Sequence, residues 1–195
     1  MKRGTLITLA VVAVLLLLVG GCLVGNYNKL VTTKEAVDQR WAQVDNQLKR
    51  RNDLIGSLVE TVKGTAIQEQ EVFGMIANAR AQMSGARTPA EGVQAGQAMD
   101  SALGRLLVVV ENYPQLKSNE AFVQLMDEIA GTENRLATER MRYNQEVQGY
   151  NVLVKRFPTS VYAGLFHFAP AIYYPVPEPE KAAPKVDFGG LRRTK

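Results

Sequence analysis

The sequence predicts an all-α protein, a long antiparallel up-down bundle of about four helices behind an N-terminal membrane-anchoring helix. Three observations carry that prediction. Residues 4–25 hold no charged side chain and follow the basic pair Lys2-Arg3. From Asn26 onward, apolar residues recur at the three-, four- and seven-residue spacings of a helix with one buried face. The breaks between the stripes are short, which leaves consecutive helices no room to run other than antiparallel.

The uncharged run comes first in the chain. Its centre, Ala10-Val11-Val12-Ala13-Val14-Leu15-Leu16-Leu17-Leu18-Val19, is apolar on every side. As a helix, residues 5–25 span about 30 Å, the thickness of a bilayer's hydrocarbon core. The alternative, a helix buried in a protein core, fits poorly with a run this long and free of charge. Lys2 and Arg3 favour a cytoplasmic N-terminus, so the expected location is a cell membrane, crossed once, with the bundle on the outer side. A second reading also fits. Val19-Gly20-Gly21-Cys22 has the small residues before a cysteine that mark a lipoprotein processing site, which makes Cys22 a candidate for lipidation. The two readings share a location and differ in the linkage.

The first bundle helix carries Leu30, Val37, Trp41, Val44, Leu48, Ile55, Leu58, Val59 and Val62 on one stripe. If continuous from about Tyr27 to Ala66 it is about 60 Å long, with a mild bend expected at Gly56. Arg51 falls on that stripe, where an apolar residue is expected, and its stem can lie along the core edge with the guanidinium at the rim. A second stripe, Val72, Phe73, Ile76, Ala79 and Met83, follows a joint or stop at Gly64 and ends in Ser84-Gly85-Ala86-Arg87. Thr88-Pro89-Ala90-Glu91 then reads as a capping box with proline at the first helical position. The third helix carries Met99, Leu103, Leu106, Val110 and Tyr113, and Gly92, Gly96 and Gly104 give it room for close neighbours. Pro114 stops it. Ser118 or Asn119 caps the last helix, whose stripe reads Phe122, Leu125, Ile129, Leu136, Tyr143, Val147, Tyr150, Val154 and Phe157 up to Pro158. The aromatic stretch after Pro158 fits no period and reads either as a loop over the bundle end or as an exposed docking surface. The organisation is therefore an anchor over residues 1–25, a bundle over 26–174, and a proline-, glycine- and charge-rich disordered tail over 175–195.

The residue inventory excludes most chemistry. The one cysteine, Cys22, forms no intramolecular disulfide, and with the one histidine, His167, it is too few for a structural zinc site. His167 sits in Gly164-Leu165-Phe166-His167-Phe168, with no nucleophile motif beside it. No phosphate-binding loop or dinucleotide fingerprint is present. No cofactor, metal, nucleic acid or small-molecule substrate is expected, and an enzyme is the remotest class. The net charge of +4 comes from mixed charges rather than a basic run.

Several motifs in combination resemble the LemA family of bacterial membrane proteins. They are Tyr27-Asn28-Lys29-Leu30-Val31, Trp41-Ala42-Gln43-Val44-Asp45, Leu48-Lys49-Arg50-Arg51-Asn52-Asp53-Leu54-Ile55 and Leu58-Val59-Glu60-Thr61-Val62-Lys63-Gly64. Glu111-Asn112-Tyr113-Pro114-Gln115-Leu116-Lys117, Thr132-Glu133-Asn134-Arg135, Arg142-Tyr143-Asn144, Tyr150-Asn151 and Phe157-Pro158-Thr159 continue it. The chain departs from the family at Gly56-Ser57, Thr65 and Ser160. The resemblance implies an anchored bundle outside the cytoplasm, loosely associated with membrane proteases and envelope maintenance, and brings no catalytic residues.

The expected function is thus a non-catalytic, membrane-anchored envelope protein acting as a scaffold or adaptor for other envelope proteins. The alternative is a self-associating structural protein, for which Ile67, Val72 and Ile76 suggest a second apolar stripe. Lys49, Arg50, Arg51 and Asp53 form the candidate partner surface. Glu133, Asn134, Arg135, Arg140, Tyr143, Asn144, Tyr150 and Asn151 are further polar candidates. All of these groups serve equally well as the bundle's own ion pairs and hydrogen bonds, and Tyr143 and Tyr150, on the core stripe, are expected to find internal partners for their hydroxyls.

Overall fold

A computed structural model describes residues 3–64 and 70–175. The described residues form six helices: α1 (Arg3–Lys63), α2 (Gln70–Gly85), α3 (Pro89–Val110), α4 (Pro114–Lys117), α5 (Glu120–Lys155) and α6 (Thr159–Leu165). The expected tail beyond Pro175, Ile67 and the expected helix end at Ala66 lie outside the described residues.

The apolar run and the first bundle helix are one element. α1 is a single helix of 61 residues that passes through Gly20, Gly21, Gly25 and Gly56. Its apolar stretch leaves Leu16, Leu17 and Leu18 at 67%, 75% and 66% exposure, and only at its end, at Leu23 and Val24, does it adjoin another described part of the chain. A core helix would be covered on at least one face, so this stretch needs a cover from outside the chain, and it is long and apolar enough to cross a membrane.

Pairs along α1 and α5 show the packing direction. Asn26 meets Thr159 just beyond α5, Arg40 meets Glu146, and Arg51 meets Glu133, so the partners advance in opposite senses. α3 runs parallel to α1, since Trp41 abuts Gly92 and Arg51 meets Asp100, while α2 returns between them. The up-down-up-down bundle expected from the stripes is the architecture observed.

The caps work as their residues dictate. Thr88 Oγ1 accepts from the Glu91 amide at 3.3 Å, and Glu91 Oε2 accepts from the Thr88 and Arg87 amides at 3.1 and 2.7 Å. These backbone donors hold the exposed Glu91 carboxyl below its ordinary range. Asn119 Oδ1 accepts from the Phe122 amide at 3.1 Å and starts α5. Of the α3 glycines, Gly92 and Gly96 permit close approach: an added Cβ would stand 2.7 Å from Trp41 and 2.8 Å from the Tyr174 hydroxyl. Gly104 faces open space, contrary to the role expected for it.

The choice between joint and stop at Gly64 is answered, and two expectations are corrected. Helix one stops at Lys63, with Gly64 as a turn. Val72 and Ile76 are 8% and 1% exposed, because α2 turns its stripe into the core, so they form no outward stripe for self-association. Phe157 leaves the α5 stripe altogether. The helix ends at Lys155, Arg156 is already extended, and Phe157 is 78% exposed. The residue before a proline is pushed out of helical geometry, and here the helix gives way one residue earlier still.

The core has two parts. A distal cluster, far from the apolar stretch of α1, draws Ile55, Leu58, Val62, Ile76, Met99, Leu106, Leu116, Phe122 and Ile129 from α1 to α5. A proximal cluster, next to that stretch, combines Leu30, Val37, Val44 and Leu48 of α1 with Leu136, Tyr143, Val147 and Tyr150 of α5. The α2–α3 hairpin does not extend along the whole proximal region. Ala163 of α6 and Phe168, Ala171 and Tyr174 of the segment after it help close that cluster.

Candidate functional site

Between the two clusters lies a layer of charge. Arg51, between Leu48 and Ile55 on the α1 stripe, is 7% exposed, as is Arg140 of α5. Arg51 Nη1 donates to Asp100 of α3 and lies 2.7 Å from Glu133 Oε2, out of line for a hydrogen bond. Arg140 Nη1 donates to Glu133 Oε1 at 3.3 Å, and its Nη2 is 3.9 Å from Asp100 Oδ2. Two guanidinium groups thus face two carboxylates, and the four charges sum to zero. Burial pushes the Asp100 carboxyl upward, opposed by the charges of Arg51 and Arg140. Each carboxylate is about one-third exposed, and each is paired to both arginines. The four groups tie together three helices, α1, α3 and α5.

Beside this layer the chain after α6 runs as an extended strap along α5. Two Tyr-Asn pairs seven residues apart hold it. Asn151 Nδ2 donates to Ala171 O at 2.9 Å, and its Oδ1 accepts from Ala171 N at 2.7 Å. Asn144 makes the same pair of bonds to Tyr174, at 2.9 and 2.8 Å. Tyr150 donates its hydroxyl to Ala169 O at 3.0 Å, and Tyr143 to Ile172 O at 2.8 Å. The spacing is physically matched. Seven helical residues rise about 10.5 Å, and three extended residues cover about 10 Å, so each helix repeat meets every third residue of the strap. A carboxamide has one donor side and one acceptor side, which is what a backbone amide and carbonyl require when no strand lies alongside.

The strap reaches the ion layer through Tyr174. Its ring is buried and lies 4.4 Å from the Arg140 guanidinium carbon, a cation–π contact, and Gly96 leaves space for its hydroxyl. Burial raises the Tyr174 phenol above its ordinary value and raises that of Tyr143 to about 12, with the charge of Asp38 adding to the latter. At its other end, the strap begins with a helix stop. His167 adopts φ 60°, Phe166 N donates to Tyr162 O, and Phe168 N donates to Ala163 O at 2.9 Å, a Schellman-type closure. A groove of about 480 Å³ opens between strap and helices, bordered by Lys34, Asp38, Thr88 and His167. Among the described residues, no group of three or more His, Cys, Asp and Glu could hold a metal ion.

The structure separates the basic patch anticipated from sequence. Lys49, Arg50 and Asp53 are exposed, and Lys49 pairs with Asp45 at 2.6 Å. Arg51 turns inward and takes the bundle's own ion pairs. Asp53 borders a shallow groove with Gly56, Glu60 and Arg80. Cys22 is an exposed thiol on α1 whose Sγ accepts from Asn26 Nδ2 at 3.3 Å. Glu133, Arg140, Tyr143, Asn144, Tyr150 and Asn151 all serve internal contacts. Sequence reasoning missed Asp100 and the strap register. The available signal was the Tyr-Asn pair repeated after seven residues.

Comparison with known proteins finds relatives of this chain in sequence. The profile of the LemA family matches residues 40–188. Magnetosome protein MamQ 2 of Paramagnetospirillum magneticum is 27% identical, with 88% of this chain and 73% of that protein covered. Magnetosome protein MamQ of Magnetospirillum gryphiswaldense is 26% identical over 76% of this chain and 64% of its own length. Protein LemA of Metamycoplasma hominis is 23% identical over 72% of this chain and 64% of its own.

Proposed function

The chain belongs to the LemA family, and from that premise we propose that it is a non-catalytic envelope protein, held at the membrane by α1 and acting as a scaffold or adaptor for other envelope proteins. The observation that carries this reading is the continuity of α1. One helix supplies both the uncovered apolar stretch and the central rod of the bundle, so the bundle stands at the membrane surface. The charged groups of the interior are consumed in ion pairs among α1, α3 and α5, which supports a binding rather than a catalytic role. The names of the relatives, LemA and magnetosome protein, carry no enzymatic term. Lys2 and Arg3 support a cytoplasmic N-terminus with the bundle on the outer side. Acylation at Cys22 is the alternative linkage to the same membrane.

Lys49, Arg50 and Asp53 remain the partner surface of this proposal, now without Arg51. The test is cross-linking in intact cells on the tagged full-length protein, read by mass spectrometry. One reproducible foreign protein, lost with the double change Lys49→Glu and Arg50→Glu, would establish an adaptor and its surface. Cross-links to itself alone would replace this reading with self-association.

A further inference from the structure

We propose that α6 and its flanking aromatics form an interfacial foot that inserts into the membrane leaflet from which α1 emerges. The inference rests on α1 being the anchor, and it adds a second, monotopic contact to the span.

The position of α6 carries the argument. Asn26 is the first polar side chain above the uncharged run, and Thr159, which opens α6, donates its hydroxyl to Asn26 Oδ1 at 3.3 Å. One residue on, the Tyr27 ring meets Phe166 edge-on at 4.9 Å and Phe168 at 6.0 Å. Leu23, Val24 and Tyr27 of α1 line an apolar groove together with Leu165 and Phe166. α6 therefore lies against the last turn of the apolar run, at the height where a spanning helix leaves the hydrocarbon.

Its faces are sorted as this placement requires. Thr159 and Ala163 are buried against the bundle. Phe157 just before α6, Val161 and Leu165 on it and Phe166 at its end are exposed by 78%, 59%, 66% and 47%, in one contiguous stretch of chain. Side chains of this size, gathered in one place, mark a surface that is covered in use. The occupant is the bilayer, because the patch continues directly into the exposed apolar surface of α1, with Leu23 and Val24 joining the two. Lys29, Lys155 and Arg156, all exposed just above, stand at headgroup level, where cationic ends and aromatic rings are favoured.

The test uses the full-length protein, with Cys22→Ala, reconstituted in phosphatidylethanolamine–phosphatidylglycerol vesicles. Nitroxides are attached after Leu165→Cys, Val161→Cys, Leu16→Cys or Val152→Cys, each at an exposed position. Relaxation by lipid-soluble oxygen is compared with relaxation by an aqueous nickel chelate. The foot predicts that oxygen dominates at 16, 161 and 165 and nickel at 152. If 16 reports lipid while 161 and 165 behave like 152, the foot is wrong and the anchor stands. If 161 and 165 are shielded from both reagents, a protein surface covers the patch and the foot is equally wrong. If 16 is reached by nickel, the anchor fails and takes the foot with it.

Discussion

The same two helices, α1 and α5, are closed off in different ways in the two halves of the bundle. In the distal half, the α2–α3 hairpin completes a largely aliphatic core around Ile55, Leu58, Leu106 and Ile129. In the proximal half, α6 and an extended strap fill the gap, and the core facing them carries Tyr143 and Tyr150. A helix brings its own backbone hydrogen bonds, so its neighbours need only be apolar. An extended segment brings unmet amides and carbonyls, so the helix beneath it must supply polar side chains at the right interval. Asn144 and Asn151 are the result. The charged layer of Arg51, Asp100, Glu133 and Arg140 sits where one solution gives way to the other, and Tyr174 ties the strap to it.

The largest expected break in this comparison is at the junction. Arg51→Ala leaves Asp100 and Glu133 facing each other with Arg140 alone to balance them. Loss of one partner from a fully buried pair costs 3–5 kcal/mol, and the partial exposure of these carboxylates brings the expectation to about 3 kcal/mol. Denaturant unfolding of the full-length protein should show both halves weakened together. A loss confined to one half would mean that the layer does not couple them.

A change within the strap should separate the halves instead. Asn151→Ala removes both bonds to Ala171 and is expected to cost about 1–3 kcal/mol. Hydrogen exchange should rise through residues 169–174 while the amides of Leu58 and Leu106 keep their protection. Equal acceleration in both regions would show that the strap is integral to a single cooperative unit.

Alkaline pH acts on another contact of the same strap with a smaller effect. The Tyr143 phenol is raised from 10.0 to about 12, by burial first and the charge of Asp38 second. A raised folded-state value stabilises below the unfolded one, so this contribution is complete below pH 10 and is lost as pH climbs through about 12. Ionisation also removes the donor to Ile172. Tyr143→Phe should cost about 1 kcal/mol at neutral pH and abolish this step in an alkaline titration followed by tyrosinate absorbance.

The smallest effect is a gain. His167 holds φ 60° at the turn from α6 into the strap, a geometry glycine adopts freely. His167→Gly should stabilise the proximal half by up to about 1 kcal/mol, seen as a small rise in its melting temperature.

These two halves were not equally legible in the sequence. The distal core follows from helical periodicity, and the Thr88–Glu91 cap from local spacing, because both depend on residues a few positions apart. Arg51 was conspicuous as a charge on an apolar stripe. Its partner Asp100 was not, since nothing local marks an aspartate 49 residues away as the one that will face it. The strap was hardest. Its residues have no period of their own, and the bonds that position it come from side chains about 20 and 30 residues earlier. Phe157 was misplaced for a related reason: a proline shows that a helix must end, but not how many residues before it.

The unbroken course of α1 has a mechanical consequence. From residue 26 to residue 63 the helix extends about 57 Å above the end of its apolar stretch. A rod of that length converts angle into displacement, so a lean of about 10° at the base carries its tip sideways by about 10 Å. With α1 spanning a bilayer as proposed, the thickness of that bilayer would bias its tilt and, through it, where the crown of the molecule can reach.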